Sequence, residues 1–159
     1  MIILGIDPGS RICGYGILEI SNREIIAAGC DTIRLTGVKE FPQRLKLIFE
    51  KIDSIIKKYK PDIFVIESIF YGKNIKSAFK LGHARGVMLL AAAKNNLEIH
   101  EYSPREIKKA IVGNGNASKK QVKYMVERVL NINLSSKSQD AADALAAAIC
   151  EYNKIKFKL

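Results

Sequence analysis

The chain opens on a continuous apolar run, Met1 to Asp7 (MIILGID), which Pro8-Gly9-Ser10 brings to a stop. A short apolar run bounded by turn residues reads as a buried strand. Gly14 to Glu19 and Glu24 to Ile33 read as two more strands, separated by the polar turn Ser21-Asn22-Arg23. Three strands in succession with such short connections predict an antiparallel meander. The period then changes. From Phe41 to Tyr59, Leu45, Ile48, Phe49, Ile52, Ile55 and Ile56 recur at helical spacing with basic residues opposite, and Pro61 ends the pattern. Asp62 to Glu67 is a β-prone run reached after a helix, which predicts a strand parallel to the first. A second long helix is expected from about Asn74 to Asn95, then a strand over Leu97 to Tyr102, then a helix opening at Ser103-Pro104 with Ser as its cap. Gly113-Asn114-Gly115-Asn116 reads as a loop, and Ser118-Lys119-Lys120-Gln121 matches a capping box. A last helix is expected from near Ser138 to about Asn153, followed by a frayed basic tail over about 154–159.

This pattern predicts one α/β domain over 1–159, a five-stranded mixed sheet of three antiparallel strands plus two parallel, flanked by helices. It also places four carboxylates in apolar company. Asp7 and Glu67 end predicted parallel strands, where open α/β sheets place their ligands. Asp140 and Asp143, three apart, share one face of the last helix's first turn. Ala141, Ala142, Ala144 and Ala146 to Ala148 let that helix lie close on the sheet. Taken singly, each acid reads as a turn or cap residue. Four together call for a cation, because ionised groups are costly in such surroundings unless something charged sits between them. All-carboxylate ligation suits Mg²⁺ or Mn²⁺. Two such ions about 4 Å apart can activate a water and stabilise the leaving oxygen in phosphodiester cleavage.

Charge narrows the substrate. Twenty-six Lys plus Arg against sixteen Asp plus Glu leave a net charge of +10 on 159 residues, which favours polyanions, nucleic acid before anionic membrane. No apolar run approaches the roughly 20 residues needed to span a bilayer, and the first residues already read as a strand rather than a leader. Cys13, Cys30 and Cys150 form no CxxC pair and are odd in number, which argues against a disulfide framework or a zinc site and for a reduced, cytoplasmic setting.

The blocks GIDPGSRICGYGI, IESIFYGKN, KLGHARG, SPREIKKAIVGNG, SKKQV and DAADALAAAI stand in the order and at the spacing of the RuvC family of Holliday-junction resolvases, which the chain resembles over nearly its whole length. The resemblance implies a ribonuclease H-like fold, a homodimer, Mg²⁺-dependent hydrolysis, symmetric nicking of a four-way DNA junction and a branch-migration helicase as partner. By position Asp7, Glu67, Asp140 and Asp143 match the family's catalytic acids, and Lys108 and Lys119 match lysines near the scissile phosphate. Phe70 matches the family's base-contacting Phe.

Other residues are weighed from the sequence itself. Phe70 and Tyr71 follow Glu67 closely, where an aromatic could stack on an unpaired base or anchor the loop in the core. Lys73, Lys76, Lys80 and Arg85 suggest a phosphate-facing stripe. Lys109, Lys120 and Lys123 default to solvated surface, with backbone binding second. Gly82 and Gly86, beside Ala78 and His83, each cost about 1 kcal/mol in a helix interior and imply close approach of the sheet or of a second subunit; the family pattern favours the dimer. His83 and His100 are too separated for zinc. The Gly14-x-Gly16 pair lies within a strand, which argues against dinucleotide binding. Two other functions deserve comparison: a ribonuclease H-like nuclease acting on RNA, and a junction-binding architectural protein with structural acids. The GIDPGS opening also resembles actin-like ATPases, but 159 residues leave no room for their second lobe.

Overall fold

The computed structural model describes residues 1–69 and 74–157. Strands β1 (Ile2–Asp7), β2 (Ile12–Ser21) and β3 (Glu24–Arg34) form the expected antiparallel meander. Asn22 and Arg23 both take positive φ in the β2–β3 turn, the backbone twist that suits a two-residue hairpin connection. Helix α1 (Phe41–Tyr59) has Pro42 in its first turn and ends at Lys60, whose left-handed backbone donates to the Ile56 carbonyl. Strand β4 (Ile63–Glu67) then pairs parallel with β1, and β5 (Glu98–Tyr102) pairs parallel with β4 after helix α2 (Ile75–Lys94). The sheet order is β3-β2-β1-β4-β5, as the five-stranded mixed-sheet expectation requires.

Alternation along the strands divides the core in two. Leu4, Ile6, Phe64 and Ile66 face α1 and α2, burying Ile48, Ile52, Ile56 and Met88. Ile3, Leu18, Val65 and Tyr102 face α3 (Pro104–Val112), α4 (Lys119–Leu130) and α5 (Gln139–Phe157). Both α3 and α4 begin with complete capping boxes, Ser103 with Glu106 and Ser118 with Gln121. Each box satisfies two backbone N–H groups that the helix start would leave unpaired.

Helix α5 comes close to the main chain of β1 and β2 at three strand glycines, Gly5, Gly14 and Gly16. A Cβ built at Gly14 would stand 1.9 Å from the Asp140 carbonyl oxygen, and one at Gly5 would stand 2.2 Å from that of Ala144. Glycine on the strands and alanine on the helix therefore set the separation together. The helix continues to Phe157, beyond the expected end at Asn153. The expected frayed tail is absent through that point because its side chains find partners: Lys156 Nζ donates to Tyr152 Oη (3.1 Å), which donates to the Arg23 carbonyl (2.9 Å). Ile155 packs on the core.

The predicted close approach at Gly82 and Gly86 is not made within the subunit. Among the described residues a Cβ at either would meet nothing within 4 Å, and both glycines are exposed.

Candidate active site

The register of three strands and the start of one helix bring the acids together. Ile6 pairs with Ile66, so Asp7 and Glu67 follow at the carboxyl ends of neighbouring parallel strands. Because Ile6 and Ile66 face α1 and α2, alternation turns Asp7 and Glu67 toward α5. Asp7 in turn pairs with Gly14 on β2, and the Asp140 carbonyl fills the space that Gly14 leaves. The first turn of α5 is thereby set beside the end of β1. Ser138 fixes that turn by accepting a hydrogen bond from the Ala141 N–H (3.2 Å).

Charge coupling within the group is strong. The Asp7 carboxyl is pushed up to about 8, first by burial, then by the negative charges of Glu67, Asp143 and Asp140, with Lys119 opposing. Glu67 is pushed up to about 7 by burial and then by Asp143, with Lys119 and Lys108 opposing. Lys119 Nζ donates to Asp143 Oδ2 (3.0 Å), and Gln139 Nε2 donates to Asp143 Oδ1 (2.8 Å). Burial works against the charged form of Lys119, but the Asp143 hydrogen bond and the charges of Asp143, Asp7 and Asp140 outweigh it and raise the ammonium's pKa.

Among the described residues no three His, Cys, Asp or Glu side chains converge as a ready-made metal site. The donor chemistry nevertheless fits a hard divalent ion: four carboxylates, two of them with raised pKa values, share a region whose compensating cations are lysines. Ionised together, such carboxylates repel, and a divalent cation among them would relieve that cost.

The other sequence candidates fall into three groups. Phe70, Tyr71 and Lys73 lie outside the described residues. Lys76, Lys80, Lys109 and Lys120 are exposed, and Lys123 is half-buried with its ammonium on the Lys137 carbonyl (3.1 Å). Arg85 is turned inward. Its Nε donates to the Glu67 carbonyl (3.2 Å), its other arm pairs with Glu101, and its side chain is 15% exposed. It thus buttresses the strand end that carries Glu67 instead of standing free in a phosphate-facing stripe.

Sequence reasoning missed Gln139 and Arg85 as supports of the acids. The spacing of Gln139 and Asp143, one helical turn apart, was the available signal for the first. It also missed a second polar centre. Glu151, 2% exposed, accepts from Tyr102 Oη and lies 2.8 Å from His100 Nδ1, whose Nε2 lies 2.9 Å from Glu98. His83 packs edge-on against Phe41, with centroids 5.9 Å apart.

On the outer face of α2, Ile75, Phe79 and Leu90 are 70%, 66% and 59% exposed and line an apolar hollow of about 880 Å³ with Ala78, Gly82, His83 and Gly86. Among the described residues no helix is long and apolar enough to cross a membrane.

A family model described as "Crossover junction endodeoxyribonuclease RuvC" matches residues 3–151. Relatives of that name include one from Proteus mirabilis, 47% identical over 155 residues, covering 96% of this chain and 88% of its own length. Another, from Shewanella baltica, is 49% identical over 152 residues, covering 96% and 87%. Among solved structures, Thermus thermophilus RuvC in complex with a Holliday junction substrate superposes with a TM-score of 0.90 at 24% identity, over 99% of this chain and 96% of that one. The yeast mitochondrial Holliday junction resolvase Ydc2 does so with 0.71 at 17%, over 98% and 81%. At these identities the two structures speak for the shared fold.

Proposed function

The chain belongs to the RuvC family of crossover junction endodeoxyribonucleases, and we propose that it resolves four-way DNA junctions by nicking two strands symmetrically, using a hard divalent cation held by Asp7, Glu67, Asp140 and Asp143. The observation that carries this reading is the coupling of Asp7 with Glu67, Asp143 and Asp140 at the ends of β1, β4 and the start of α5. Such a group gains a shared cation most readily.

Mg²⁺ is the ion that best suits the all-oxygen donors, with Mn²⁺ as a substitute and two ions per site in the working complex. When bound, the metal activates water and neutralises the departing oxygen. Around it the chain's own residues act by position. Gln139 and Lys119 hold the Asp143 carboxylate from two sides. Lys119 and Lys108, whose charges both reach Glu67, stand ready to offset negative charge developing on a phosphate. Arg85 fixes the end of β4.

The apolar face of α2 supports a homodimer about a two-fold axis, with Ala78, Gly82, His83 and Gly86 at the contact. An isologous dimer presents two identical sites, one for each strand to be cut. Phe70, with Tyr71, is assigned to stacking on a base at the junction. Lys73, Lys76, Lys80, Lys109, Lys120 and Lys123 are assigned to the phosphate backbone, and a branch-migration helicase complex in the cytoplasm is the expected partner.

Incubation with a synthetic four-way junction, a matched linear duplex and an RNA–DNA hybrid, each with and without Mg²⁺, tests the reading. Paired nicks confined to the junction and dependent on the ion support it. Cutting of the hybrid alone would assign the site to RNA instead.

A further inference from the structure

A groove of about 380 Å³ runs between the outer edge of β3 and helix α1, apart from the acids, and its lining is basic and aromatic: Arg34, Lys51, Lys58, Tyr15, Tyr59 and Ser54. The lysines of α1 differ according to the face they occupy. Lys46 pairs with Glu50 and Lys57 with Asp53, each one turn away. Lys51 and Lys58, two turns apart on the groove face, are exposed and form no ion pair among the described residues. Arg34, also exposed, forms none either. Among the described residues no carboxylate lines the groove, and Asp31, whose charge reaches Tyr15, is matched by Lys137 at 3.8 Å. Lys58 Nζ lies over the Tyr59 ring, 4.6 Å from its centroid. With Arg34 and Lys51 it makes one concave surface of three cations that have no carboxylate partner among the described residues, and such cations repel each other unless an anion joins them.

The groove begins at the acids' end of the sheet but on the other face. Tyr15 pairs with Ile6 and faces α1, whereas Asp7 faces α5, so a strand passes from the acids to the groove around the outer edge of β3. Asp7 pairs with Gly14, Gly14 with Thr32, and Ile12 with Arg34. Arg34 is thus two strands across from Asp7, about 10 Å at the usual strand spacing, and slightly beyond it toward the acids' end. Lys58 and Lys51 continue the track along α1, with the tyrosine rings beside it.

We propose that the groove between β3 and α1 is a second nucleic-acid site, which takes a stretch of DNA strand that leaves the catalytic acids around the outer edge of β3: Arg34, Lys51 and Lys58 neutralise its phosphates, and the half-buried rings of Tyr15 and Tyr59, the latter already covered on one side by Lys58, border its bases. The inference rests on the reading that the acids at the ends of β1 and β4 act on DNA. Cations that follow a strand with aromatic rings beside them bind it with little sequence preference and with strong salt dependence.

Anisotropy titrations of a labelled four-way junction and of a labelled single strand, repeated across a salt series in Ca²⁺ or EDTA, test the proposal without requiring cleavage. Each phosphate that the protein no longer neutralises flattens the log K against log salt slope by about 0.7 to 0.9. The Arg34→Ala/Lys51→Ala/Lys58→Ala variant should therefore show a slope shallower by roughly 2 and affinity down about ten-fold or more at fixed salt. An unchanged slope overturns the proposal. So does the result that a labelled poly-glutamate peptide binds the parent but not the variant while DNA binding is unaltered, since the groove then serves an acidic protein segment. As a measurement on the unaltered chain, photocrosslinking of 5-bromouracil-substituted strands should label peptides containing Tyr15 or Tyr59; labelling confined to other peptides refutes it. A parent that binds with the full slope yet cuts no junction refutes the catalytic reading alone.

Discussion

Gly14 stands directly opposite Asp7 in the β1–β2 ladder, and the Asp140 carbonyl occupies the space where a side chain at Gly14 would lie. One missing methyl group thus connects the strand acid to the helix acids. Gly14→Ala puts a Cβ 1.9 Å from a backbone oxygen, which forces α5 away from β2. Overpacking of this kind costs about 1–3 kcal/mol, and the separation of Asp140 from Asp7 should reduce cleavage further than it reduces junction binding. Gly29→Ala, where a Cβ meets nothing within 4 Å, is the control that should leave melting and cleavage unaltered.

Asp7→Asn removes a metal-binding charge with little change in bulk. Cleavage of the junction should fall by several orders of magnitude while binding in Ca²⁺ stays within about two-fold of the parent, by analogy with loss of one group from a cooperating catalytic set. A variant that cuts at the parent's rate would remove Asp7 from the catalytic group.

The raised carboxyls also set a pH dependence of stability. Asp7 moves from 3.8 to about 8 and Glu67 from 4.5 to about 7 on folding. The folded state therefore binds more protons than the unfolded state between those values, and stability falls as pH rises. The contribution is fully present below about pH 4 and lost as pH passes about 7 to 8. In EDTA the melting temperature should decline across this window, Asp7→Asn should flatten the decline, and Mg²⁺ should offset it by favouring the ionised acids. A melting temperature that rises steadily toward pH 8 in EDTA contradicts the coupling.

Lys119 opposes the rise at both Asp7 and Glu67. Replacing it with Met should push both carboxyls higher and move the acidic limb of the pH–rate profile to higher pH, beyond any fall in maximal rate. A lowered rate with an unmoved limb would restrict Lys119 to holding Asp143.

Open space around Gly86 separates a dimer effect from a folding effect. Because a Cβ there meets nothing within 4 Å among the described residues, Gly86→Leu should raise monomer stability by up to about 1 kcal/mol through helix propensity. It should also shift sedimentation toward monomer and cost the paired character of the nicks. Persistence of the dimer at the parent's concentration dependence places the contact elsewhere.

Much of the fold was legible because its signals are local. Pro61 ends the α1 pattern, Ser103 caps α3, and the capping box at Ser118 to Gln121 lies within four consecutive residues. The acids were legible through chemistry, since charged residues ending apolar runs need a reason. What stayed hidden depends on residues distant in sequence. Gly14 reads only as a strand glycine until Asp140 is placed on it, and His100 only as a histidine without a zinc partner until Glu151 arrives on α5. Arg85 looks like one more cation of a basic helix; the Glu67 carbonyl and Glu101 that occupy it come from two different strands. The length of α5 was underestimated because Lys154 and Lys156 look solvated, whereas Tyr102 and Tyr152 provide rings for their ammonium groups (3.8 and 5.4 Å).

Where α5 crosses Gly5, Gly14 and Gly16 the contact is made mainly by glycine, alanine and main chain, so along that line, beside the larger Leu145 and Ile149, there is little side-chain volume to exchange. Elsewhere a core can drift by trading one large residue for two small ones; here a trade has no currency. Such a seam is a natural joint for chimeras. An α5 segment from another protein of this kind, if it carries the same small residues, should seat on these strands at the same height and bring its own acid pair to Asp7.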